Sequence, residues 1–70
     1  MITKTKTIDG ILVELEIDGG GSQGWVNYGD YSASIEAMYQ EGVLTSDEGE
    51  KRVSPQTRER IYSWAVANGY

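Results

Sequence analysis

Four apolar residues spaced two apart, Ile11, Val13, Leu15 and Ile17, alternate with Leu12, Glu14, Glu16 and Asp18 directly after an Asp9-Gly10 pair. Alternation at period two places one set of side chains on each face of a strand, and Asp-Gly favours the positive φ angles of a tight turn. The chain is therefore expected to open on a β-hairpin, with Thr3 to Thr7 in its first strand. Two registers compete. A two-residue loop, Asp9-Gly10, sets Lys4 and Lys6 beside Leu15 and Val13 on the apolar face. A three-residue loop, Ile8-Asp9-Gly10, with Gly10 as a left-handed bulge residue, turns Thr3, Thr5 and Thr7 to that face and sets Lys4 opposite Glu14. The second is preferred, because an opposite-charge cross-strand pair is worth roughly 0.2 to 1 kcal/mol while burying unpaired lysines costs several times that.

The C-terminal end carries the clearest helix signal. Ser54 can cap it, Pro55 fits its first turn without losing a hydrogen bond, and Asn68-Gly69 closes it, giving a span from Pro55 to Asn68. At 100° per residue Trp64, Ile61, Ala65, Tyr62 and Val66 share one broad face, with Glu59, Arg60 and Ser63 opposite. That face is expected to pack on the hairpin, with Tyr70 folding back on Trp64. Residues 30–42 fit two periods: Tyr31, Ala33, Ile35, Ala37 and Tyr39 alternate as in a strand, while Ile35, Met38 and Tyr39 also share a helical face. A short helix is the reading adopted, with Ser32 or Ser34 as its cap and Gly42 at its end. Val43-Leu44-Thr45 and Lys51-Arg52-Val53 read as strands joined by Ser46-Asp47-Glu48-Gly49. The expected architecture is α+β: a small antiparallel sheet built on the N-terminal hairpin, packed against a C-terminal α-helix, with a short middle helix, all in a single domain of residues 1–70.

At 70 residues without cysteine or histidine, the chain lacks disulfides, thiolate and imidazole ligands, and the commonest general base. Such a short domain buries only roughly 60% of its unfolded surface, so oligomerisation or a bound partner is the available staple. Ser22 and Ser32 have no activating neighbour in sequence, and every candidate pair of carboxylates falls on a strand face or a turn, open to solvent. Enzymatic activity and a cofactor are not expected. Asp47, Glu48 and Glu50 resemble a calcium cluster only superficially, because Gly49 follows Asp47 by two positions where a calcium loop places its glycine sixth. No run of about 18 apolar residues is present, and Met1-Ile2-Thr3-Lys4 lacks the apolar stretch of a signal peptide, so a cytoplasmic location and no membrane contact are expected.

The net charge of −5 is unevenly arranged. No basic residue lies between Lys6 and Lys51, an interval holding ten of the eleven carboxylates. Lys51, Arg52, Arg58 and Arg60 then cluster within ten positions. This balance repels phosphate, so direct nucleic-acid binding is not expected. Two readings of the acidic block stand side by side: solvated surface, or an acidic face that competes for a basic, nucleic-acid-binding surface of another protein. Gly19 to Gly24, followed by Trp25, Tyr28, Gly29 and Tyr31, likewise reads either as a connector with core aromatics or as a binding loop with exposed anchors.

Asp47-Glu48-Gly49-Glu50, then Val53-Ser54-Pro55, then Ile61-x-x-Trp64-Ala65-x-x-Asn68-Gly69-Tyr70 resembles, in the last third of the chain, small accessory proteins of phages and other mobile elements. That resemblance implies stoichiometric inhibition of a host defence protein, as by anti-CRISPR proteins, in the cytoplasm of a bacterial cell. It carries no residue roles. The residues themselves suggest Trp25, Tyr28 and Tyr31 as anchors, with Asp30, Glu36, Glu41, Asp47 and Glu48 supplying charge to a host protein such as a nucleic-acid-binding complex. The alternatives are a module holding a sugar or nucleotide in segment 19–31, and a structural homodimer.

Overall fold

The computed structural model describes residues 1–20 and 23–70. Six strands, β1 (Ile2–Ile8), β2 (Ile11–Ile17), β3 (Gly24–Tyr28), β4 (Tyr31–Ser34), β5 (Val43–Ser46) and β6 (Gly49–Arg52), pair in chain order as one antiparallel sheet. Helix α1 (Ile35–Glu41) joins β4 to β5, and helix α2 (Pro55–Ala67) follows β6. The expected α+β architecture, with its N-terminal hairpin and C-terminal helix, is present.

The hairpin register differs from the preferred one. Asp9 (φ 52°) and Gly10 (φ 81°) form a two-residue turn, with Ile8 opposite Ile11, Lys6 opposite Val13 and Lys4 opposite Leu15. Positive φ at both central residues matches the twist of the flanking strands. This register brings Ile8 (6% exposed) onto the apolar face, which a slip by one would forfeit. The feared cost to the lysines does not arise, because β1 is an edge strand: Lys4 and Lys6 are exposed while Val13 and Leu15 beside them are buried. Long lysine stems reach past an edge to water, and edge lysines also discourage pairing with another chain.

Segment 30–42 uses both of its periods, one after the other. β4 ends at Ser34, whose hydroxyl caps α1 by accepting from the Ala37 amide at 3.1 Å. Gly42 closes the helix at φ 68°, donating to the Met38 carbonyl at 2.8 Å. The β5–β6 connection is tighter than the expected four-residue turn: Ser46 pairs with Gly49 across Asp47-Glu48, and the Glu48 amide donates to Ser46 Oγ at 3.1 Å. Val53 lies outside the strand and donates to the Gly42 carbonyl instead.

α2 starts where expected, with Ser54 Oγ accepting from the Thr57 amide. It ends in a Schellman motif: the Gly69 amide donates to Val66 and the Tyr70 amide to Ala65. Its buried stripe is Thr57, Ile61 and Ala65, narrower than the face expected, and Val66 is half exposed. Tyr70 folds back, but onto Tyr62 rather than Trp64, with ring centroids 5.9 Å apart and planes at 80°. Tyr62 in turn stacks on Tyr39 of α1 at 4.1 Å. The Tyr39 hydroxyl donates to Glu59 of α2, and the Tyr70 hydroxyl to Glu36 of α1, so two aromatic side chains tie each helix to the other's carboxylate.

Both helices lie on one face of the sheet. Leu15, Ile17, Val26, Ile35, Met38 and Ile61 are the largest fully buried side chains, drawn from both layers. Among the described residues nothing covers the opposite face, whose side chains are exposed or half buried.

Candidate binding surface

Register and alternation together determine what that open face presents. Thr5 of β1 lies opposite Glu14, Glu14 opposite Asn27, Asn27 opposite Ser32, Ser32 opposite Thr45 and Thr45 opposite Glu50, a polar row across all six strands. A parallel row runs Thr3, Glu16, Trp25, Ser34. Asn27 and Glu16 are half buried and the other members of both rows are exposed. Asn27 Nδ2 donates to Glu14 Oε1 at 3.2 Å and to Glu16 Oε2 at 2.7 Å, fixing the two carboxylates side by side. Trp25, beside Glu16, is 37% exposed, and Leu12 at the far end of β2 is 61% exposed. The two stand four residues apart along the strand direction, roughly 13 Å.

In a meander, alternate turns fall at the same end. The Asp9-Gly10, Gly29-Asp30 and Asp47-Glu48 turns therefore share one end of the sheet, and Asp30, Asp47 and Glu48 line a shallow cleft there with Ser32, Thr45 and Ser46. Asp9 differs from the rest: its carboxylate accepts from Thr57 Oγ1 at 2.5 Å and pairs with Arg60, bolting the first turn to α2. That is the one ion pair among the described residues.

The basic residues sort the other way. Lys4 and Lys6 share the face of Leu15 and Val13, Lys51 that of Leu44, and Arg58 and Arg60 belong to α2, leaving only Arg52 of the six on the open face. The open face with its adjoining cleft holds Glu14, Glu16, Glu50, Asp30, Asp47 and Glu48.

The residues singled out from sequence do not form one site. Trp25, Asp30, Asp47 and Glu48 belong to the open face and its cleft. Tyr28 and Tyr31, paired across the β3–β4 turn, share the face of Val26 and are half buried beneath Lys51, whose Nζ lies 4.9 Å from one ring centroid and 5.5 Å from the other. They pack against the core rather than stand beside Trp25. Glu36 and Glu41 lie on α1 in the helical layer, and Glu36 accepts from Tyr70 and from Gln40. Leu12, Glu14, Glu16 and Glu50 belong to the same open face and were not singled out from sequence. The signal was in the alternating run itself, where a leucine occupies an outward position that the pattern reserves for polar side chains.

The helix pairing perturbs two phenols. Hydrogen bonding to Glu59, reinforced by its charge, raises Tyr39 above the ordinary tyrosine value. Burial, then the hydrogen bond to Glu36, pushes Tyr70 up to about 12. Both effects hold the hydroxyls protonated as donors. They serve helix docking, away from the open face.

On the helical side, a cavity of about 220 Å³ opens between the sheet and the first turns of α2. Val13, Val26, Leu44 and Ile61 supply apolar wall, with Tyr28, Lys51 and Thr57 around it. Gln23 and Gly24 line a separate surface depression with Trp25, Ser34, Glu36 and Tyr70, while Gly21 and Ser22 of the glycine segment lie outside the described residues. Among the described residues no group of three or more Asp and Glu is placed to hold a metal ion, and no helix is long and apolar enough to cross a membrane. No protein-family model, no curated protein and no solved structure matches this chain.

Proposed function

We propose that this chain is a small phage or mobile-element protein that inhibits a host protein by stoichiometric binding, laying its open sheet face over a basic, nucleic-acid-binding surface, as an anti-CRISPR protein would. The activity is occlusion, without turnover. One observation carries the reading: six carboxylates converge on the open face and its cleft while five of the six lysines and arginines lie on the helical side. A surface of one sign steers a partner of the other sign and fixes its orientation. Trp25 and Leu12 supply the apolar contacts that charge alone does not, and exposed aromatic side chains are frequent energetic centres of interfaces.

The test is capture from a bacterial lysate by the tagged chain, repeated with the variant Glu14→Gln/Glu16→Gln/Trp25→Ala. The expected partner is retained by the native chain at about 50 mM salt, fades at about 300 mM and is lost by the variant. Equimolar native protein should also block its nucleic-acid binding. A partner held equally well by the variant, or one whose nucleic-acid binding continues unaffected, refutes the proposal.

A further inference from the structure

The cavity on the helical side lies across the sheet from the open face. Its walls include Val13, Val26, Leu44 and Ile61, each at most 3% exposed, so it is a cleft reaching into the core rather than a surface dimple. Its volume is about 220 Å³. An apolar cavity of roughly 150 Å³ already accepts benzene, so this one takes a single ring and a short arm.

Charge at the cavity discriminates among ligands. Asp9 touches it, but that carboxylate is engaged by Thr57 and neutralised by Arg60. Lys51 has no carboxylate within ion-pair distance among the described residues, and its ammonium stands over the Tyr28 and Tyr31 rings. Arg52, from the edge strand β6, also lines the cavity and has no ion-pair partner among the described residues, so a rim with one compensated anion and two uncompensated cations favours an anionic ligand, and the apolar wall asks that the rest of the molecule be apolar. We infer that the cleft between the sheet and the start of α2 is a binding site for a small apolar carboxylate of the arylalkanoate class, its ring among Val13, Val26, Leu44 and Ile61 and its carboxylate on Lys51. Tyr28, read from sequence as an exposed anchor, serves here as a wall of the site.

Three probes that share a ring and differ in their head group test this: 3-phenylpropionate, 3-phenylpropanol and 3-phenylpropylamine. Each is titrated into the ¹⁵N-labelled full chain while backbone amide shifts are followed. The acid should move the amides of Ile11, Val13, Lys51 and Thr57 together, with a dissociation constant on the order of 1 mM or tighter. The alcohol should bind more weakly and the amine most weakly. Lys51→Met, which keeps the apolar stem, should weaken the acid about fivefold and leave the alcohol unchanged, since a half-exposed charge contributes modestly. If Lys51→Met fails to fold, the order of the three probes on the native chain decides alone. An amine that binds as tightly as the acid, shifts that fall elsewhere on the protein, or no saturable shift with any probe overturns the assignment.

Discussion

Adding a single methyl group at Gly24 tests whether α1 docks on the sheet as described. Gly24 opens β3 opposite Ile17 and is buried, and its position on the core face carries no side chain. Ile35, the first residue of α1, fills that space: a Cβ at position 24 would overlap Ile35 Cδ1 and lie 3.1 Å from the Glu16 carbonyl oxygen. Ile35 is fully buried, so its Cδ1 can move away only by displacing its neighbours in the core. Overpacking of this kind costs about 1 to 3 kcal/mol, and alanine recovers roughly 0.5 to 1 kcal/mol because it has less backbone entropy to lose than glycine. Gly24→Ala should therefore lose on the order of 1 kcal/mol, and about 2.5 kcal/mol at most. In a domain of this size each kcal/mol moves Tm by about 4 to 8 °C, so a loss of about 1 kcal/mol should lower the melt followed by circular dichroism by about 4 to 8 °C.

Ile35 Cδ1 is the atom that an added Cβ meets first, so removing it is a stricter check. Ile35→Val deletes that Cδ1 and by itself costs about 0.5 to 1.5 kcal/mol. In the Gly24→Ala background the same deletion relieves the overlap, so the double variant should be more stable than the summed losses by about 1 kcal/mol. Gly19→Ala serves as the control, since an added Cβ there meets nothing within 4 Å, and it should change stability by about 0.5 kcal/mol or less. A Gly24→Ala protein that melts at or above the native temperature, or two losses that simply add, would refute the packing of α1 on β3.

Two further outcomes follow from burial and from the tyrosine pairing. Leu12→Ala, on the open face and 61% exposed, should shift the melting transition by less than about 1 kcal/mol, whereas Tyr31→Ala, half buried beneath Lys51, should lose about 2 kcal/mol or more; the reverse order in thermal melts would contradict the assignment of the two faces. Because the folded-state value of Tyr70 is raised to about 12 from an ordinary 10.0, the native state holds that proton more tightly than the unfolded chain. Its contribution is complete below pH 10 and disappears as pH rises through about 12, so urea midpoints should fall across that window and fall less in Tyr70→Phe, while equal slopes in the two proteins would remove the Tyr70–Glu36 bond from the account.

Elements governed by local chemistry were legible in the sequence. Ser54-Pro55 and Asn68-Gly69 mark the ends of α2 through their own hydrogen bonds, and Asp9-Gly10 marks a turn, because these effects span four residues or fewer. The register of the first hairpin was not, since it depends on whether β1 is an edge, a property of the whole sheet that decides whether two lysines are buried or merely adjacent to the core. Residues 30–42 defeated a single assignment because two elements meet at Ser34 without a breaker between them. The candidate site suffered from a related gap. Sequence shows a block of carboxylates but not their faces, and Glu36 is absorbed by Tyr70 only because the C-terminal turn returns to α1. Tyr28 and Tyr31 looked like companions of Trp25, yet parity along β3 and β4 sends them to the opposite side.

That same parity bears on why the open face is acidic. Glu14 and Glu16 lie two apart on one strand face, about 7 Å from each other, where two like charges repel by roughly 0.6 kcal/mol even in water. Exchanging one of them with a lysine from β1 would remove the repulsion and leave the net charge at −5, and a mixture of signs is the ordinary solution for a surface that needs only to stay in water. The molecule does the opposite. It spends the amide donors of Asn27 on both carboxylates, placing them within 3.2 Å of one side chain, and puts Trp25 next to Glu16. An arrangement that stabilises neither fold nor surface on its own becomes favourable when an opposing cationic surface covers it, because the repulsion is then replaced by attraction. In the absence of a partner, Glu16→Lys should therefore leave the fold as stable as before or more so, and only the proposed binding should suffer.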